Sequence, residues 1–131
     1  GGVVALGALL LFELIPSAPA GPVSYDVVFS PAVAADLPTE RLSEGTMDMK
    51  KLCLWARWHG LPAGHHDYRI EVIDGAGKTI WDSPYSFDSK GTKTTWSCYT
   101  VKPQVDEPGR WRFTVWVDGV QRLVESLPVR R

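Results

Sequence analysis

Beyond residue 20 the apolar side chains of this chain recur at every second position and not at helical spacing. A strand sends successive side chains to opposite faces, so this period excludes a helical bundle and demands half-buried sheet. The segment Met49 to Trp58 shows it best, with Leu52, Leu54, Ala56 and Trp58 on one face and Cys53, Trp55 and Arg57 on the other. In the same way Trp111, Phe113, Val115 and Val117 alternate with Arg112, Thr114, Trp116 and Asp118. Five further segments read as strands: Val23 to Phe29, Tyr68 to Ile73, Lys78 to Trp81, Thr92 to Val101, and Leu123 to Val129. Asp74-Gly75-Ala76-Gly77 and Asp118-Gly119 are hairpin signals, because glycine supplies positive φ without steric cost. Residues 30–46 read as a long connection with a short helical turn around Ala34–Asp36, and Pro84 to Gly91 reads as polar loop. Seven short strands at this spacing predict one antiparallel β-sandwich domain over residues 21–131.

The first twenty residues follow another rule. Val3 to Ile15 is an apolar run interrupted by Glu13, too short to span a bilayer, which needs about 20 apolar residues. Pro16-Ser17-Ala18-Pro19-Ala20 follows it, and Ala18 and Ala20 occupy the small-residue positions of a cleavage site before Gly21. A secretory signal peptide is the expectation, with a hydrophobic anchor and an ordinary buried segment as the other readings. There is no initiator Met and no basic stretch ahead of the run, so the chain is expected to begin inside a longer reading frame. Any membrane contact is expected only through this segment, if it is uncleaved. The predicted location is periplasmic or secreted.

Export bears on the cysteines. There are two, Cys53 and Cys98, and an oxidising compartment makes one pair most simply a disulfide. Closing so long a loop stabilises by about 3–4 kcal/mol in the chain-entropy account. The other reading is two buried thiols. The 14 basic and 15 acidic residues leave a net charge of −1, which excludes the basic field of a nucleic-acid binder.

The stretch Gly109-Arg110-Trp111-Arg112-Phe113-Thr114-Val115-Trp116-Val117-Asp118-Gly119, followed by Leu123 to Val129, joins a Gly-x-Trp strand to an Asp-Gly turn and a closing strand. In this it resembles exported bacterial immunoglobulin-like modules, over residues 47–131. The resemblance implies an immunoglobulin-like sandwich and no particular activity. One departure stands out: Cys98 lies on the strand before the Gly-x-Trp strand, whereas the antibody disulfide joins two sheets. Cys53 and Cys98 are therefore expected to join neighbouring strands of one sheet or to pin a strand end.

Three constellations could carry function. His59, His65 and His66, with Asp67 near and Met47 and Met49 upstream, could hold copper if the imidazoles converge; solvated histidines of a polar turn are the plain alternative. Trp55 and Trp116 stand opposite the aliphatic faces, beside Arg57 and Arg112. If those faces meet water, the rings could stack on sugar; otherwise they are core. No Gly-x-Ser-x-Gly, Ser-x-x-Lys or His-Glu-x-x-His pattern occurs, and no Gly-rich phosphate loop precedes a helix. The expectation is a non-catalytic module without a cofactor that recognises an envelope or secreted protein. The alternatives are a carbohydrate-binding module, with a polysaccharide as partner, and a periplasmic copper carrier.

Overall fold

The computed structural model describes residues 22–131, so the expected signal or anchor segment lies outside the described residues. Ten strands follow in chain order: β1 (Ser24–Ser30), β2 (Val33–Ala34), β3 (Leu37–Pro38), β4 (Gly45–Thr46), β5 (Lys51–His59), β6 (Gly64–Ile73), β7 (Thr79–Ser89), β8 (Lys93–Thr100), β9 (Gly109–Val117) and β10 (Val120–Arg130). No helix occurs among the described residues. One sheet has the order β1-β5-β8 and the other β4-β10-β9-β6-β7, while β2 and β3 form a small separate hairpin. Every long pairing is antiparallel.

The two sheets meet across one core, as the alternation requires. Leu52, Leu54, Ala56 and Trp58 face Ile70, Val72, Trp111, Phe113, Val115 and Val117. Phe29 and Phe113 touch across the gap with ring centroids 4.8 Å apart. Trp58 and Trp111 are fully buried, and each indole N–H still finds an acceptor. Trp58 Nε1 donates to Thr95 Oγ1 at 2.9 Å and Trp111 Nε1 to the Glu107 carbonyl at 2.8 Å. The glycine two residues before Trp111 has a steric reason to be there. Gly109 sits at φ +133°, and a Cβ on it would come within 2.9 Å of the Gly75 backbone. The Asp118-Gly119 turn has positive φ at both residues, the geometry that matches the twist of a tight hairpin.

Three expectations need correction or completion. The helical turn expected at Ala34–Asp36 is instead the tip of the β2–β3 hairpin, where Ala35 and Asp36 adopt φ 52° and 64°. Positive φ at two successive residues closes a hairpin and cannot continue a right-handed helix. The segment expected as polar loop from Pro84 is strand, because β7 continues to Ser89 in register with β6. Pro84 is tolerated there because β7 is an edge strand, where the missing N–H can face away from the partner. The disulfide joins Cys53 to Cys98, directly opposite each other on β5 and β8, so it links neighbours within one sheet.

Candidate recognition cleft

An antiparallel sheet leaves backbone donors and acceptors unpaired along its outer strands, and these edges are where a two-sheet fold is chemically unfinished. Here β8 ends the smaller sheet and β7 ends the larger one. The two edges flank a common cleft of about 430 Å³. Tyr68 and Ser97 lie deep in it, and Tyr85, Phe87, Lys93 and Trp96 complete its walls and rim. Alternation along β7 turns Tyr85 and Phe87 inward, and along β8 it turns Lys93 and Ser97 inward while Trp96, at the other parity, stands on the outer face at the rim. Tyr85 and Phe87 pair with Tyr68 and His66 of β6, while Trp96 pairs with Trp55 of β5.

The cleft offers ring faces, hydroxyls and one ammonium. The Tyr68 ring lies 6.1 Å from both Tyr85 and Phe87, centroid to centroid. Lys93 Nζ stands 5.9 Å from the centre of the Phe87 ring. Burial pushes the Tyr68 phenol up, and hydrogen bonds with Ser97 and Thr95 oppose the shift only in part, so it stays a neutral hydroxyl. Six large apolar side chains are exposed among the described residues, and the two aromatic ones, Tyr85 at 48% and Trp96 at 43%, both belong to this cleft. Singly exposed apolar residues mean little, but paired rings on one concavity are the usual make-up of a binding site.

The residues expected to stack on sugar are not brought together. Trp55 and Arg57 lie on the outer face of β1-β5-β8, whereas Trp116 and Arg112 lie on the outer face of the other sheet. Trp55 is only 5% exposed, and its Nε1 donates to the Asp36 carbonyl at 2.9 Å, under the β2–β3 hairpin. That corrects the platform reading for Trp55: a loop seals the face that the strand alternation leaves outside. Trp116 is half-buried, with the Arg69 guanidinium 4.5 Å from its ring centre. Arg69 is itself held by a forked contact to Asp82, at 2.9 and 2.8 Å. The ring face that a sugar would need already carries a cation.

The histidines do not converge either. His59 pairs with Asp26 at 3.0 Å, and His65 with Asp88 at 3.2 Å. His66 bridges Asp118, at 2.6 Å through Nδ1, and the Pro62 carbonyl, at 2.7 Å through Nε2. Among the described residues no group of three or more His, Cys, Asp or Glu side chains is arranged to hold a metal. The hydrogen bond that His66 donates to Asp118 raises the His66 pKa, helped by the Pro62 carbonyl and opposed by burial. Partial burial alone would raise Asp118, but His66 and the Asp67 N–H together hold it below the usual carboxylate value. This pair acts as a clasp between the start of β6 and the β9–β10 turn.

Sequence reasoning passed over Tyr85 and Phe87 because Pro84 made their segment look like loop. The signal was there: Trp81, Ser83, Tyr85 and Phe87 recur at every second residue across the proline. Trp96 was placed on a strand, but nothing in the sequence says that its strand is an edge.

No family model matches the sequence, and no curated protein matches it. Solved structures do resemble it. A Pseudomonas aeruginosa immunoglobulin-like protein is 17% identical, with 86% of this chain and 94% of that one covered at a TM-score of 0.48. The CARDB domain of a Pyrococcus furiosus protein, solved in complex with di-metal ions, is 13% identical over 89% of this chain and 93% of that one, at 0.50. A Listeria innocua β-glucosidase is 13% identical over 83% of this chain at 0.51, but the chain spans only 16% of that enzyme's length. At such identities the likeness concerns the fold alone, and the likeness to the CARDB domain, together with the two-sheet strand order, shows an all-β, immunoglobulin-like fold with one disulfide within a sheet.

Proposed function

We propose that this chain is a non-catalytic, exported recognition module that grips an envelope or secreted protein at the cleft between β7 and β8. The observation that carries the reading is that, among the described residues, the two exposed large aromatic side chains, Tyr85 and Trp96, both belong to residues that border that one cleft. Aromatic rings supply large contact area at low entropic cost, and such residues dominate interface energetics. Export is supported by the Cys53–Cys98 bridge, which persists in an oxidising compartment, and by the apolar run ahead of Ala18 and Ala20.

A carbohydrate ligand is the second reading, and the same residues favour it, since Tyr85 and Trp96 offer the exposed rings that Trp55 and Trp116 were expected to supply. The two readings separate experimentally. A photo-crosslinking side chain in place of Tyr85, in the full exported chain, should give one discrete protein adduct that Trp96→Ala weakens. No adduct, together with a saturable tryptophan-fluorescence shift on adding a cell-wall polysaccharide that Trp96→Ala removes, would transfer the cleft to sugar. Adducts that form equally from Val124, on the other sheet, would contradict the cleft altogether.

A further inference from the structure

The outer strands of this molecule are not equally protected. β7 carries Pro84 in its middle, opposite a strand with a register shift between Val72 and Ile73. β10, which the two-residue β4 covers only at Val129 and Arg130, carries Pro128, Arg122 and a register shift between Gln121 and Leu123. β1 is partly covered, since the Leu42 N–H donates to the Phe29 carbonyl at 2.8 Å. Prolines, bulges, charges and covering segments are the devices that stop one sheet edge from pairing with another chain. β8 has the fewest of them, its one charge being Lys93 at its first position. It runs in unbroken register from Lys93 to Thr100 against β5, with no proline or glycine and no charged residue after Lys93.

The register also says which groups point outward. Cys53 and Cys98 face each other with Cα atoms 4.0 Å apart, the close spacing of a pair that exchanges no backbone hydrogen bonds. Hydrogen-bonded and non-bonded pairs alternate, so Thr94, Trp96 and Cys98 all turn their N–H and C=O groups away from β5. The Val101 N–H, at the other parity, does donate to the Lys50 carbonyl. A row of free donors and acceptors therefore lies beside the cleft.

Charge selects the occupant. Lys90 and Lys93 stand at one end of β8, and Lys51 and Lys102 at the other. Among the described residues none of these four ammonium groups forms an ion pair with a carboxylate. A second copy pairing antiparallel through β8 would set lysines against lysines at both ends. It would also turn Lys93, Thr95 and Ser97 toward a cleft walled by Tyr68, Tyr85 and Phe87. A foreign strand with acidic ends and alternating apolar residues meets neither obstacle. We infer that β8 is a strand-addition site for an extended segment of a partner protein, with apolar side chains at alternate positions entering the cleft and acidic residues at its ends meeting the four lysines. This rests on the cleft reading above and adds its chemistry.

The test uses the full chain, isotope-labelled for NMR, and two synthetic peptides of alternating Val and Thr. One is flanked at both ends by Asp and Glu, the other by Lys. The acid-flanked peptide is expected to bind about tenfold tighter than the lysine-flanked one, by the charge argument. In its complex the amides of Thr94, Trp96 and Cys98 should exchange at least ~tenfold more slowly with solvent. Thr94→Pro removes one outward N–H without touching the β5–β8 ladder and should abolish that protection. Lys90→Glu with Lys93→Glu should erase the preference for acidic flanks without the risk that proline brings to folding. No binding of the acidic peptide, or equal binding of both, overturns the inference. Shifts at Tyr85 and Trp96 without slowed amides overturn strand addition and leave the cleft reading standing. Shifts confined to the surface around Trp116 overturn both.

Discussion

Trp55 and Trp96 are cross-strand partners on the same face of the same sheet, yet one is 5% exposed and the other 43%. The strands do not make the difference. Trp55 lies on the central strand under the β2–β3 hairpin, where the Asp36 carbonyl accepts its N–H. Trp96 lies on the edge strand, beyond the reach of that contact. The pair teaches that strand alternation sets which face a side chain takes, while an irregular segment elsewhere in the chain decides whether that face is core or surface. A sealed tryptophan is part of the fold; an open one beside unpaired backbone is available to something else.

The comparison can be broken by substitution. Trp55→Ala should lower stability by about 3–5 kcal/mol, the usual result of emptying a buried aromatic site. Trp96→Ala should change the same denaturation midpoint by less than ~1 kcal/mol, as surface positions do. Comparable losses from both would mean that Trp96 belongs to the core. Next comes the bridge two residues from the tryptophan pair. Cys53→Ser with Cys98→Ser should cost about 3–4 kcal/mol, because the bridge closes a separation of 45 residues. Urea unfolding of the two forms checks this.

The His66–Asp118 clasp gives a smaller effect with a pH signature. The folded-state pKa of His66 is raised above 6.5, so its contribution is complete below that value and fades as pH rises through the raised pKa. Asp118 is held below 3.8, so its contribution is complete above that value and is lost as pH falls through the lowered pKa. The clasp is therefore strongest between the two ordinary values. His66→Gln should cost about 1–2 kcal/mol near pH 5. It should also flatten the decline in stability between pH 6 and 9, measured by thermal unfolding across that range. The smallest effect is at the hairpin that seals Trp55. Ala35 sits at φ 52°, so Ala35→Gly should be neutral or stabilising by about 0.5 kcal/mol, read from the same unfolding curves.

Much of the fold was legible because period-two patterning is a direct consequence of strand geometry. Leu52 to Trp58 and Trp111 to Val117 pack inward as their alternation requires. The Gly109-x-Trp111 pattern was also legible, and its reason is the backbone crossing at Gly75. The candidate site was not legible. Pro84 hid the second half of β7, since proline is a strand breaker everywhere except an edge, and edges are not written in local sequence. The three histidines looked like a cluster because they are close along the chain. In space each has its own carboxylate: Asp26, Asp88 or Asp118. Trp55 and Trp116 were chosen for their faces, but the Asp36 carbonyl and the Arg69 guanidinium were already in contact with them.

The most direct test of the open-against-sealed account is fluorine NMR of the full chain with fluorotryptophan at all six positions, assigned by single Trp→Phe substitutions. Spectra are taken in light and heavy water, and then with the acid-flanked peptide. The account predicts that the Trp96 signal shows the solvent-isotope shift and moves on adding peptide, while the Trp55 signal does neither. A solvent-sensitive Trp55, or a peptide that moves Trp116 and leaves Trp96 in place, would contradict it.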